Sequence, residues 1–283
     1  MSSPRELAAY ASAPDDYEAL VIEGVMGINP SHLQRIFISP HLDDSSHLVL
    51  VVGPSLGRRD MLEKRIASRR VFEILWEKHL KYRTSDMAYC YDLFRASSTL
   101  ARGAGWVFEL RMHQLLRRRQ TICLFPITRT NPGSVNFIYK GYTRENPMDL
   151  RLPGSDQYSL SEGAGSFVGN RYHRLEAAKF PTISSLLLVQ PPGGLPLILL
   201  MFRIIQDPGE YDVNEEDLRR TDHLHLPPAT RKYYVVVTPR EIEPTINVPR
   251  EYSGGGSGTA PLSDGLFQVF NHPVPMHTLF RDD

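Results

Sequence analysis

The sequence predicts an α+β fold, with a helical N-terminal half leading into a β-rich C-terminal half flanked by helices. Three observations carry this. Apolar residues recur at helical spacing in three stretches between residues 60 and 116. From Thr121 onward the texture changes to strand-length runs of branched and aromatic residues. Gln190-Pro191-Pro192-Gly193-Gly194 then separates two of those runs, a turn signal of the kind that joins neighbouring strands.

Taken in order, residues 1–20 read as a weakly ordered arm. Residues 21–28 and 33–38 are short apolar pieces parted by Asn29-Pro30, a turn signal. Residues 47–52 read as a buried strand ended by Gly53-Pro54. Asp60 is placed to cap a first helix carrying Leu62, Ile66, Phe72, Trp76 and Leu80. Ser85 or Asp86 caps a second, with Met87, Tyr91 and Phe94. Thr99 or Gly103 opens a third, where Phe108, Met112 and Leu115 stack on one face. Strands are expected over 121–127, 135–139, 182–189, 195–205 and 232–238. The stretch 140–170 is long, polar and glycine-bearing, the mark of a mobile or functional loop. Ser253 to Gly258 has the composition of a flexible linker. Residues 266–280 are apolar again and are expected to dock on the main domain. The layout is therefore an arm (1–20), a helical linking region (21–100), an α/β domain (101–252), a linker (253–265) and a docking tail (266–283).

Lysine plus arginine equals aspartate plus glutamate, 32 each, so attraction to nucleic acid has to come from a local patch. Two cysteines, Cys90 and Cys123, make neither a disulfide framework nor a zinc cluster, which favours a reduced, intracellular protein of cytoplasm or nucleus. No apolar run approaches the roughly 18–20 residues needed to span a bilayer. Pro4, Arg5, Glu6, Asp15, Asp16 and Glu18 interrupt the first twenty residues, where a signal peptide would be apolar.

Candidate chemistry is sparse. Residues 49–58 pass from a strand into Gly53-Pro54-Ser55-Leu56-Gly57-Arg58, without the Gly-Lys-Ser/Thr ending of a phosphate-binding loop. Glu109 and His113 lie one helical turn apart and face the same way, placed to share a proton or a metal. Arg111, Arg117, Arg118 and Arg119 give that helix a basic end, partly dipole compensation and partly a phosphate-binding patch. His223 and His225, after Asp222, have metal-compatible spacing but no third ligand nearby; His41, Asp43, Asp44 and His47 are in the same position. No Gly-x-Ser-x-Gly nucleophile elbow occurs.

Three pieces share an order worth noting: Gly105-Trp106-Val107-Phe108-Glu109, Phe180-Pro181-Thr182-Ile183-Ser184-Ser185 and Phe202-Arg203-Ile204-Ile205. Together they resemble the nuclease-like end of the Crinkler and retrotransposon-hot-spot families. The resemblance implies a restriction-endonuclease-like mixed sheet flanked by helices, with residues 47–116 similar to the region that links the families' ATPase module to it. It further implies that Glu109, Ser184, Arg203 and Ile205 meet at one end of a central hairpin. Glu109 falls on the family's helix carboxylate. Ser184 stands where a metal-binding aspartate belongs, and Arg203 and Ile205 replace a Gln-x-Thr or Glu-x-Lys element. Residues 232–237 and 268–274 look like the late strand and tail.

Those replacements imply a degenerate site. Hydrolysis of a phosphodiester in this class uses Mg²⁺ on one or two carboxylates and a polar group that orients water. A guanidinium at about 4 Å opposes a divalent ion by about 8 kcal/mol at an effective dielectric near 20. The expected function is a non-cleaving module that binds nucleic acid through its arginines, or a protein partner, without a cofactor. The alternatives are an active DNase with Mg²⁺ on Glu109, and an interaction protein with no nucleic-acid role. An intact site elsewhere would have to draw on Asp149, Asp156, Glu176 or Asp207.

Overall fold

A computed structural model describes residues 50–54, 62–66, 68–77, 84–96, 101–130, 136–142, 146–155, 158–161, 171–175, 177, 179–224, 226–227, 229–249 and 267–281. The chain divides into two compact units, one of residues 1–108 with 280–283 and one of residues 109–279. The expected arm, the apolar pieces before residue 50 and the Gly-Ser linker lie outside the described residues.

In the first unit, β1 (Leu50–Pro54) pairs antiparallel with β2 (Leu62–Ile66). The helix expected from Asp60 therefore does not begin there. Leu62 and Ile66 satisfy a two-residue period as well as a four-residue one, and the partner strand decides between them. Among the described residues the next element after β1 is β2 and not a helix, unlike the strand-to-helix passage of a phosphate loop. Helix α1 (Arg69–Leu75) starts instead at Ser68, whose Oγ accepts the Val71 N–H at 3.2 Å. Helices α2 (Thr84–Ala96) and α3 (Ala101–Leu116) follow as expected. The unit packs around Phe72, whose ring lies 6.5, 6.2 and 5.6 Å from those of Trp76, Phe94 and Trp106. Tyr91 meets Phe280 at 5.5 Å, so the chain's end returns to this unit.

The second unit holds the end of α3 and one mixed sheet. Its strands are β3 (Thr121–Thr130), β4 (Asn136–Tyr142), β5 (Met148–Arg151), β6 (Tyr158–Ser161), β7 (Tyr172–Leu175), β8 (Ser185–Val189), β9 (Ile198–Ile204), β10 (Glu210–Asp212), β11 (Arg231–Pro239), β12 (Thr245–Pro249) and β13 (Phe267–Val274). Helices α4 (Glu215–Asp222) and α5 (Met276–Leu279) complete it. The order is β10-β12-β4-β3-β13-β11-β9-β8-β7-β6, with β5 paired to β3 alone. β9, β11 and β13 run parallel, and β8 returns antiparallel to β9. The architecture is α+β, as the sequence predicts.

One expectation needs correction and another gains detail. The polar stretch 140–170 contains two strands, β5 and β6, short enough that loop chemistry hides them. The tail packs against the rest of the second unit, as expected, and does so as a strand. It enters the sheet as β13, parallel to β11 on one side and antiparallel to β3 on the other. Val269, Phe270, Asn271 and Val274 are buried there.

Strand alternation gives the middle of the sheet two distinct faces. Leu186, Leu188, Leu199, Met201, Tyr234, Val236 and Val269 join Leu218 and Leu224 of the α4 region in one apolar cluster. Leu187, Leu200, Phe202 and Val235, in register across β8, β9 and β11, form the opposite face.

Two expected outcomes follow. A chain ending at Gly254 lacks β13 and should lose its cooperative thermal transition by circular dichroism; an unchanged transition would contradict the placement of the tail. His272, on β13, has its Nδ1 3.0 Å from the Cys123 carbonyl. Burial pushes its pKa down, against the smaller upward effect of that hydrogen bond. The unfolded chain then takes the proton first, so stability is complete above the ordinary value of about 6.5 and falls as pH drops below it. Denaturant melts between pH 7 and 5 should show a shallower fall for His272→Gln than for the parent chain.

Candidate functional site

The β8–β9 hairpin opens on Phe180-Pro181-Thr182-Ile183-Ser184, and the polar atoms of this entry are tied down one by one. Asn214 caps α4, its side chain accepting the Glu216 N–H at 2.8 Å. This aims Asp217, in the first turn, at the entry segment. Asp217 Oδ2 accepts the Thr182 N–H at 2.8 Å and the Thr182 hydroxyl at 2.6 Å, while Oδ1 is buried without a hydrogen bond. Thr182 Oγ1 in turn accepts the Asn214 N–H at 3.1 Å. The Tyr234 hydroxyl, from β11, donates to the Thr182 carbonyl at 2.6 Å. Burial pushes the Tyr234 pKa far up, with Arg203 opposing and Asp217 assisting, so the phenol is a fixed neutral donor.

Ser184 and Arg203 meet at this entry. Ser184 Oγ accepts the Ile204 N–H at 3.2 Å, and the Ser184 N–H donates to the Phe202 carbonyl at 2.7 Å. Arg203 donates through Nη1 to the Pro181 carbonyl. Ile205, next in alternation on the same face, is buried in the apolar cluster. Tyr211 lies close enough to Arg203 and Asp207 to feel both; burial, then Asp207, raises its pKa while Arg203 lowers it.

Glu109 belongs to the other face. Its Oε1 lies 3.6 Å from His113 Nε2. His113 Nδ1 is 2.6 Å from the Tyr172 hydroxyl, which donates to Ser185 Oγ at 2.7 Å. His113, Tyr172 and Ser185 are all buried. Ser185 is in register with Phe202, whose side chain points away from that of Arg203. The expected meeting of four residues is thus corrected: the hairpin gathers Ser184, Arg203 and Ile205, and Glu109 stands across the sheet with His113. Glu109 and His113 do face one another, as their spacing predicts.

The arginines also separate. Arg111 is 2 % exposed and donates to the Leu279 carbonyl at 2.8 Å and to Gln114 at 3.1 Å, which fixes α5 and removes it from any phosphate. Arg117 is half-buried, whereas Arg118 and Arg119 are exposed. Asp149 sits on β5 beside Cys123, whose thiol is pushed up by burial and then by that carboxylate. The Asp207 carbonyl accepts the Tyr211 hydroxyl at 2.5 Å. Asp156, Glu176 and His225 lie outside the described residues, as do residues 41–47.

The hairpin entry does not suit Mg²⁺. Ser184 offers a hydroxyl already accepting a backbone N–H, Arg203 brings a positive charge, Ile205 has no donor atom, and the one carboxylate there, Asp217, has Oδ2 committed to Thr182. Among the described residues no three acidic, histidine or cysteine side chains group as metal ligands. Sequence reasoning missed Thr182, Asp217 and Tyr234. Asn214-Glu215-Glu216-Asp217 has the look of a capped helix start, but nothing local reveals that Asp217 reaches a threonine 35 residues earlier.

Asp217→Ala should cost about 2–3 kcal/mol in denaturant unfolding, because two donors on Thr182 lose their acceptor. Tyr172→Phe should cost roughly 1–3 kcal/mol by leaving His113 and Ser185 without their shared hydroxyl. A cost below about 0.5 kcal/mol in either would contradict the geometry above.

No protein-family model, no curated protein and no solved structure matches this chain.

Proposed function

We propose that the chain is a nuclease-like module without cleavage activity, of the kind implied by its resemblance to the Crinkler and hot-spot families, and that it acts by binding a protein partner. The observation that carries this is Arg203. By the resemblance, a cation stands where the families carry Gln or Glu, and its guanidinium is engaged by the Pro181 carbonyl. Ser184 beside it supplies no charge to hold a divalent ion. Hydrolysis would need both a bound metal and an oriented water, and none of Ser184, Arg203 and Ile205 serves either need. Glu109 adds nothing at this entry, since it lies across the sheet, and this counts against the resemblance; the proposal rests on the hairpin residues alone.

A second reading, nucleic-acid binding, is favoured by the adjacent exposed pair Arg118 and Arg119. Two contacts of that kind bind weakly and give only a shallow salt dependence, since its slope scales with the number of phosphates contacted. The Arg111 contribution expected from sequence is gone.

Purified protein with Mg²⁺ or Mn²⁺ should leave single- and double-stranded DNA uncut above background. Metal-dependent cleavage that vanishes in Glu109→Ala would overturn the proposal and make the chain an active DNase.

A further inference from the structure

A cleft of about 870 Å³ opens in the second unit, away from the hairpin entry. Its walls are β5 with the residues after it, the turn between β8 and β9, and the start of β11. Every residue from Met148 to Pro153 lines it. Consecutive lining residues mean that the strand presents its edge to the cleft, since a strand lining with one face would contribute alternate residues.

The hydrogen-bond phase of that edge can be worked out. The Leu152 N–H donates to the Gln120 carbonyl at 2.7 Å, and Arg151 is in register with Thr121. Bonded positions alternate along an antiparallel ladder, so Leu150 and Leu152 turn their backbone groups toward β3. Asp149 and Arg151 turn theirs outward. Among the described residues β5 has no ladder on that side. The spacing of these outward groups, two residues apart, is what an added strand requires.

Side chains around the edge set the chemistry of an occupant. Arg119, Arg151 and Arg231 line the cleft and are exposed, against one carboxylate, Asp149, which the Cys123 thiol engages. Arg119 is held in place from behind. Gly154 takes φ +79°, and a Cβ there would come within 3.0 Å of Arg119 Cβ and 3.1 Å of its backbone nitrogen. The Ser155 N–H also donates to the Arg117 carbonyl at 2.7 Å. On the facing wall, Gln190 Nε2 donates to the Leu195 carbonyl at 2.8 Å and closes the proline-glycine turn on itself. Leu195 is 55 % exposed, the one large apolar side chain so exposed among the described residues. Leu150, Val189 and Ile198 make an aliphatic floor.

We propose that this edge takes an extended segment of a partner protein, rich in alternating acidic and apolar residues, as an added strand beside β5. Its backbone bonds to Asp149 and Arg151, its carboxylates meet the three arginines, and its apolar side chains lie against Leu195 and the floor. A nucleic acid fits less well. Asp149 would face its phosphates, and Tyr233, the aromatic ring in the cleft, is 2 % exposed and offers no stacking face. The inference rests on the binding reading above by naming the partner's chemistry, yet its test is separate from cleavage.

The probe is an acetylated, amidated octapeptide alternating valine and glutamate, fluorescently labelled, with a valine–lysine octapeptide and a labelled oligothymidylate as controls. Anisotropy with the full chain should rise for the acidic peptide alone. Arg119→Glu with Arg231→Glu should weaken binding at least tenfold. Arg151→Pro, which removes an outward N–H and leaves the β3 ladder intact, should weaken it more than Arg151→Gln. Hydrogen exchange should slow at Asp149 and Arg151 only when peptide is present. Absence of binding, amides at 149 and 151 already protected in the free chain, or displacement of the peptide by oligothymidylate would each overturn this proposal. DNA cleavage would instead overturn the function proposed above and leave the edge in place.

Discussion

The sheet of the second unit hangs on one strand. β10, β12, β4, β3 and β5 form one half and β11, β9, β8, β7 and β6 the other; among the described residues β13 alone joins them. It pairs along its whole length with β11, eight residues in parallel register, and with β3 through Phe270 and Asn271. Its buried side chains supply apolar area on both sides, while the Thr238 hydroxyl donates to Asn271 Oδ1 at 3.2 Å inside the joint. The last strand in sequence is therefore required to complete the middle of the sheet. Such non-local pairing is slow to form, because its loop-closure entropy is met before its contacts reward it.

This architecture explains how the hairpin carries two polar systems without forming one site. Successive residues of β9 point to opposite faces, so Arg203 looks toward α4 and Tyr234 while Phe202 looks toward Tyr172. On the α4 side, Thr182, Asp217 and Tyr234 lock the entry segment, and Arg203 and Ser184 direct their polar atoms to neighbouring backbone. On the other side the His113–Tyr172–Ser185 chain joins α3 to β7 and β8. Each network satisfies groups that burial would otherwise penalise. Most of their polar atoms bond to other parts of the same chain, with Asp217 Oδ1 the exception at the entry.

Much of the fold was legible because its signals are local. The branched runs at 121, 182, 195 and 232 became strands, and helical spacing marked α2 and α3. Residues 62–66 misled because Leu62 and Ile66 obey either period, and only pairing with β1 chooses. β5 and β6 were hidden by their length, four residues each, inside a polar stretch. The candidate site was legible in part. Spacing alone brought Glu109 to His113, and the hairpin brought Ser184 to Arg203. Which face of the sheet α3 would cover was not written in any local pattern, so Glu109 was assigned to the wrong side. The same holds for Arg111: a basic residue in a helical run looks like a surface charge until tertiary packing places the Leu279 carbonyl beside it.

Whether the hairpin entry can hold a divalent cation is the central question. Calorimetric titration of Mn²⁺ into the parent chain tests this directly, with a Ser184→Asp, Arg203→Gln variant titrated beside it. No saturable binding to the parent chain is expected in the millimolar range, and measurable binding is expected once the carboxylate is restored and the guanidinium removed. Saturable binding to the parent chain that is lost in Asp217→Asn would contradict this expectation, because the entry would then be a working metal site.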